Sequence, residues 1–168
     1  MAGSCELYFI RHGIAEERGD AWPDDTKRPL TAAGATRLRK GVRGLRSAGI
    51  GFDVVLTSPL VRARQTADVV ASASDPRPPI FVVESLAPGG AYASLMTDIE
   101  KYAKRGRIAL VGHEPDLGEI TARLIGARQP IVYKKGAVCR VDLAAVPSPS
   151  PGVLMWFLTP KLMRRLGK

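Results

Sequence analysis

Leu7-Tyr8-Phe9-Ile10-Arg11-His12-Gly13 is the stretch from which the rest of the chain can be read. Four consecutive large apolar side chains form a short run bounded by a turn signal, the pattern of a buried strand. His12-Gly13 ends that strand. Further strands are expected at Asp53–Thr57, Ile80–Val83, Ile108–Val111, Ala137–Leu143 and Val153–Leu158.

Single helix-like segments separate the first four strands. Thr31 is an N-cap, and Leu38, Val42 and Leu45 give the helix that follows an apolar stripe. Arg37, Arg39, Lys40, Arg43 and Arg46 fall mostly off the stripe and read as a solvated face. Ser58-Pro59 carries a cap and a first-turn proline, predicting a helix to about Ala73. Leu95, Ile99 and Tyr102 mark a third helix, and Leu117, Ile120 and Leu124 a fourth that begins at Pro115. Ile14–Pro29 is polar and aperiodic, a surface loop, and the Pro147–Gly152 stretch is too short for an interdomain linker. With 168 residues the expectation is one domain spanning 1–168.

Strands that alternate with single helices call for an α/β fold: three layers, with helices on both faces of a mostly parallel sheet. Ligands of such sheets sit beyond the carboxyl ends of the strands. Those ends carry Arg11-His12-Gly13, Ser58-Pro59 leading to Arg62, and Gly112-His113. The chain has two histidines, and both fall on this edge.

Composition narrows the chemistry. Hydrophobic residues are 45% and charged residues 24%, which excludes a disordered chain. No apolar run approaches the roughly 20 residues of a membrane span, and the amino terminus lacks a secretory pattern, so a cytoplasmic protein is expected. Cys5 and Cys139 form no metal or redox spacing and read as reduced thiols. The net charge of +9, carried largely by 17 arginines, calls for an anionic partner. Aromatics at 6% and the lack of a nucleic-acid motif argue against DNA or RNA. Lys161, Arg164, Arg165 and Lys168 read as an exposed basic tail able to steer acidic partners.

Two histidines beside two arginines suit phosphoryl transfer without metal or cofactor. A neutral imidazole attacks phosphorus to give phosphohistidine. Arg11 and Arg62 hold the non-bridging oxygens through forked hydrogen bonds, and a second histidine adds another donor. Gly13 would let the backbone approach the oxyanion.

Phe9-Ile-Arg-His-Gly13 resembles the Arg-His-Gly signature of the histidine phosphatase superfamily, which includes phosphoglycerate mutases and acid phosphatases. By composition alone an Arg-His-Gly has a chance expectation of roughly 0.02, so the weight rests on the ordered series of further motifs. These are Arg28-Pro-Leu-Thr-Ala-Ala-Gly34, Ser58-Pro-Leu-Val-Arg-Ala-Arg-Gln-Thr66, Leu110-Val-Gly-His-Glu-Pro115, Lys134-Lys-Gly-Ala-Val138 and Leu158-Thr-Pro-Lys161. Together they resemble the short bacterial SixA-type phosphohistidine phosphatases along essentially the whole chain. The resemblance implies the phosphoglycerate mutase-like fold, with His12 as nucleophile and Arg11, Arg62 and His113 forming the phosphate pocket.

The resemblance offers Glu84, after the third strand, as a general acid, with the acidic loop Glu16–Asp25 as another source. Arg28 is a candidate for the pocket mouth, Arg64 is expected in solvent, and Ser58 is read as a helix cap. The expected substrate is phosphohistidine in a signalling protein. Two alternatives stay open: a phosphatase of small phosphorylated metabolites, and a non-catalytic phosphoprotein-binding module.

Overall fold

In a computed structural model describing residues 4–168, six strands form one sheet in the order β3-β2-β4-β1-β5-β6. The strands are β1 (Cys5–Arg11), β2 (Val54–Thr57), β3 (Ile80–Val82), β4 (Arg107–Gly112), β5 (Val138–Leu143) and β6 (Val153–Leu158). β1, β4, β2 and β3 run parallel, whereas β5 lies antiparallel to β1 and β6 antiparallel to β5. The parallel part is the half joined by helices, because a parallel return needs a crossover. The short Pro147–Gly152 connection permits only the antiparallel pairing of β5 and β6.

Helices cover both faces. α1 (Ala32–Ser47), α2 (Val61–Ala71) and α5 (Pro160–Leu166) lie on one, and α3 (Tyr92–Tyr102) and α4 (Asp116–Ile125) on the other. Alternation along β1 divides the core: Tyr8 and Ile10 pack with Leu38, Val42, Leu45, Ala67 and Met163, while Leu7 and Phe9 pack with Leu95, Ile99, Leu117 and Leu124. These are the stripes the periodicity singled out.

Three expectations need correcting. The helix expected from Ser58 begins at Val61, because Ser58 and Pro59 are spent on the turn that enters it. The strand expected over Ile80–Val83 stops at Val82: β3 is an edge strand, with Phe81 and Val82 exposed. The basic carboxyl-terminal segment is not a tail. It forms α5, capped by Thr159 Oγ1, which accepts from the Leu162 N–H, and it lies tightly on α1. Gly44 makes that contact possible, since a Cβ there would come within 1.8 Å of the Met163 carbonyl oxygen.

The 14–29 segment is also more than a surface loop. Ala15 bridges to Leu30, Arg28 is buried, and a 3-10 turn covers Asp25–Lys27. Gly34 seats α1 beneath this segment, because a Cβ there would overlap the Ile14 carbonyl oxygen at 2.3 Å.

Candidate active site

The register of two strands brings the histidines together. β1 pairs with β4 from Glu6↔Arg107 to Arg11↔Gly112, a constant offset of 101 residues, and His12 and His113 are the next step of the same ladder. The His12 N–H donates to the Gly112 carbonyl at 3.1 Å, and the two rings lie 5.1 Å apart. β2 adds Ser58, whose N–H donates to the Val111 carbonyl. Three adjacent strand ends therefore deliver His12, His113 and Ser58 to one place, at the carboxyl edge where α/β sheets bind ligands.

Each imidazole is oriented through one ring nitrogen. His12 Nδ1 lies 2.7 Å from the Gly13 carbonyl oxygen. A carbonyl can only accept, so Nδ1 carries the proton and Nε2 keeps its lone pair. His113 Nε2 lies 2.7 Å from Ser58 Oγ, which also accepts the Leu60 N–H at 3.2 Å. Nε2 is the acceptor that the Ser58 hydroxyl has among the described residues, so we assign Ser58 as donor and the His113 proton to Nδ1, a buried nitrogen with no partner among them. Burial pushes His12 down to about 3, and neighbouring His113, Arg62 and Arg11 push the same way. Burial and Arg62 likewise lower His113 to about 4. Both rings are neutral at pH 7.

The arginines are held as firmly. Arg11 Nη1 donates to the Tyr133 carbonyl at 2.6 Å, and Tyr133, fully buried, is fixed in turn by a 2.6 Å hydrogen bond between its hydroxyl and Thr121 Oγ1. Arg62, 3% exposed, sits in the first turn of α2 and donates Nη1 to the Asp25 carbonyl oxygen and Nη2 to Asp25 Oδ2. Thr66 ties this turn to the histidine strand: its hydroxyl donates to the Arg62 carbonyl and accepts the Gly13 N–H at 3.0 Å. Gln65 accepts the Leu30 N–H. The residues after Arg62 in the Ser58–Thr66 motif thus lock α2 against the loops on either side of the site.

The structure brings Arg11, His12, Arg62 and His113 into one cluster, with buried Arg28 beside them. Arg28 Nε donates to Asp25 Oδ1 at 2.9 Å and Nη1 to the Glu16 carbonyl. Arg64 is exposed. Two expectations are revised. The Gly13 N–H is taken by Thr66, so what Gly13 supplies is the carbonyl that orients His12, and a Cβ on it would meet Leu30 at 3.3 Å. Glu84 is exposed in a 3-10 turn, and no hydrogen bond or ion pair among the described residues ties it to the pocket.

Sequence reasoning did not assign Ser58, Thr66, Glu114 and Tyr133 to the site, and it offered Asp25 only as one acid of the Glu16–Asp25 loop. Asp25 gathers Arg62, Arg28 and Arg18. Burial alone would raise its carboxyl, but Arg28 and Arg62 hold it below the ordinary range, so it is ionised. Its position three residues before Arg28 was the available signal. Glu114 is raised by burial, with Arg11 opposing, and its Oε1 accepts the Gly118 N–H. Nothing in the sequence pattern singled out Tyr133, which acts through its backbone.

A sequence profile of the histidine phosphatase superfamily (branch 1) matches residues 7–87. An uncharacterized protein of Picosynechococcus sp. is 45% identical over 117 residues, covering 68% of this chain and 69% of that protein. Phosphohistidine phosphatase SixA of Escherichia coli K12 is 26% identical over 157 residues, covering 92% of this chain and 94% of its own. A solved structure of the protein histidine phosphatase SixA, complexed with tungstate, superposes with a TM-score of 0.81 at 24% identity, over 93% of this chain and 97% of that one. A phosphoglycerate mutase from Bacillus anthracis shares the fold at a TM-score of 0.73 and 14% identity, over 99% and 98% of the two chains. With a relative this similar over two thirds of its length and SixA matched nearly end to end, the chain belongs to the histidine phosphatase superfamily and is a phosphatase of the SixA type.

Proposed function

We propose that this phosphatase hydrolyses phosphohistidine in a phosphorylated protein, through a covalent phosphoryl group on His12 Nε2. One observation carries the reading. Arg11 Nε, Arg62 Nε and His113 Nδ1 are buried nitrogens without a partner among the described residues, and all belong to the group around His12. A buried, unpaired donor costs about 1–3 kcal/mol, and three together are reasonable only where an anion with several acceptor oxygens completes them. The binding of tungstate, a tetrahedral oxyanion, by the SixA structure of like fold supports the same reading.

The chemistry follows from the tautomers. The Nε2 lone pair of His12 forms a bond to phosphorus as the phosphorus–nitrogen bond of the substrate breaks. The departing imidazole takes that electron pair and leaves neutral once its other ring nitrogen, which carries a basic lone pair in phosphohistidine, has taken a proton from solvent. Arg11, Arg62 and His113 donate to the equatorial oxygens as charge spreads over them. Water then adds to phosphorus, the bond to Nε2 breaks, and H₂PO₄⁻ departs while His12 keeps its Nδ1 proton on Gly13. Neither step calls for a protein acid. This suits a site whose Asp25 is ionised and whose Glu84 lies in solvent.

Rapid quenching of the wild-type protein with a phosphohistidine peptide, an aryl phosphate and phosphoserine tests the proposal. The expected result is a phosphoenzyme labile to acid and stable to base, with the peptide and the aryl ester turned over faster than phosphoserine. An acid-stable phosphoenzyme would refute the mechanism, and phosphoserine as the best substrate would refute the substrate assignment.

A further inference from the structure

Ten cationic side chains line one continuous trench on this molecule. A cavity of about 540 Å³ opens beside Arg11 and Gly13 and runs between α1 and α5, with Arg37, Lys134, Lys135 and Lys161 on its walls. Lys161 and Arg164 also belong to a second cavity of about 440 Å³, which carries the trench on past Lys40 and Arg43 to the end of α5. No acidic side chain among the described residues lines either part. The ten leave fifteen basic residues elsewhere against sixteen acidic ones, so the whole positive excess of the chain resides in this trench.

These charges are also unpaired. Every ion pair among the described residues lies elsewhere, on cations such as Arg28, Arg62, Arg107 and Arg140. Like charges crowded on two packed helices destabilise the free protein, and the close Gly44–Met163 contact between α1 and α5 forces that crowding. The floor of the trench is apolar, built from Leu38, Gly41, Pro160 and Met163.

We propose that the α1–α5 trench docks an acidic, partly apolar surface of the phosphoprotein substrate and so places its phosphohistidine over His12. The inference rests on the protein-substrate reading above. Charge complementarity selects an acidic partner, and the apolar floor selects a protein surface over a small polyanion. The wall lysines are exposed and tied to nothing, unlike the preorganised donors a compact phosphate needs. The lining holds no aromatic side chain on which bases could stack. Docking of this kind acts mainly on encounter, by about 10- to 10³-fold at low salt.

The experiment uses two phosphohistidine peptides that share the phosphorylated segment and differ in a tethered amphipathic helix, one bearing glutamates and leucines, the other glutamines and leucines. Wild-type protein is compared with the triple variant Lys40→Glu, Arg43→Glu, Lys161→Glu, whose three positions are exposed and outside the phosphate pocket. At low salt, kcat/KM of the wild type should favour the glutamate peptide about tenfold, with kcat unchanged. The triple variant and 0.5 M NaCl should each abolish that preference while leaving aryl phosphate turnover intact. Equal kcat/KM for the two peptides, or a preference that survives the triple variant, overturns the trench proposal alone. Tight, variant-sensitive binding of a single-stranded oligonucleotide without the peptide preference assigns the trench to nucleic acid and overturns it too. Turnover of aryl phosphate with neither peptide hydrolysed refutes instead the underlying substrate reading.

Discussion

Arg11 is shared by two cationic regions that treat charge in opposite ways. In the cluster around His12, the proposed phosphate site, the Arg62 guanidinium is buried, and Arg62 and Arg11 each have at least one nitrogen fixed to a backbone oxygen. In the trench, exposed lysines and arginines stand on flexible stems without partners. A buried, oriented donor discriminates between the ground and transition states, because it need not reorganise when charge develops. An exposed one attracts from a distance and is screened by salt. The two regions should therefore separate in kcat and in kcat/KM.

The largest expected effect breaks the pocket at its centre. His12→Ala should reduce turnover of every substrate to background and abolish the phosphoenzyme, with the circular dichroism spectrum and cooperative melting retained. Near-normal activity would move the nucleophile elsewhere. Arg62→Lys comes next, at about 10²- to 10³-fold in kcat despite the conserved charge, because a lysine cannot span Asp25 and a phosphoryl oxygen together. The comparison is sharpest against Lys40→Glu, which reverses a charge and should leave aryl phosphate kcat within twofold. If Arg62→Lys lost less than threefold, Arg28 would be the stronger anion ligand.

Much of this was legible in the sequence, and for identifiable reasons. β1 was visible because a run of apolar residues needs burial, and the Leu38–Val42–Leu45 stripe because it matches the turn of a helix. That His12 and His113 share one sheet edge followed from placing two motifs at strand ends, whereas their being neighbours comes from the register of β1 on β4, offset by 101 residues. What escaped acts through the backbone or through packing. Tyr133 lends a carbonyl oxygen, which carries no side-chain signature. α5 looked like a tail because its seven residues are rich in charge, and its burial depends on the glycines of a helix more than a hundred residues earlier. Asp25 hid among several acids of one loop, and only the fold shows which of them reaches Arg62.

Ser58 sharpens the comparison within the pocket. Ser58→Ala leaves Nε2 of His113 without its donor and frees the ring to take either tautomer. Loss of one neutral hydrogen bond is worth about 1–1.5 kcal/mol, so kcat should fall about tenfold with KM little changed. Nitrogen chemical shifts of His113 should move from the Nδ1–H form towards a mixture. An unchanged tautomer would show that Ser58 only shapes the turn into α2.

Acid should reveal the same burial in a second way. His12 and His113 lie near 3 and 4 when folded and bind protons near the ordinary histidine value of 6.5 when unfolded. Below about pH 6.5 the unfolded chain takes up protons the native state refuses, so stability is full above that value and is lost as pH falls towards 4. Each histidine contributes a slope of about 1 kcal/mol per pH unit in this window. Urea midpoints between pH 7.5 and 4.5 should fall accordingly, and His12→Ala should flatten the curve by about half. A midpoint constant down to pH 5 would mean that both rings are hydrated.

The smallest expected effect concerns Glu84, and it decides what the pocket asks of its substrate. A phosphohistidine leaving group needs no acid, whereas an alkyl phosphate expels an alkoxide unless something protonates it, a service typically worth about 10²- to 10⁴-fold. Glu84 lies exposed beyond β3 without a partner, while Glu114, held at the Gly118 N–H and raised by burial, is the carboxyl beside Arg11 that most readily keeps a proton. Glu84→Gln should therefore change kcat less than twofold on phosphohistidine peptide, aryl phosphate and phosphoserine alike. Selective loss on phosphoserine alone would show that the β3–α3 segment swings Glu84 inward with substrate bound. Selective loss with Glu114→Gln instead would place the acid next to His113. If neither substitution separates the substrates, proton delivery plays no part in this pocket, and its preference is set by how readily the leaving group departs on its own.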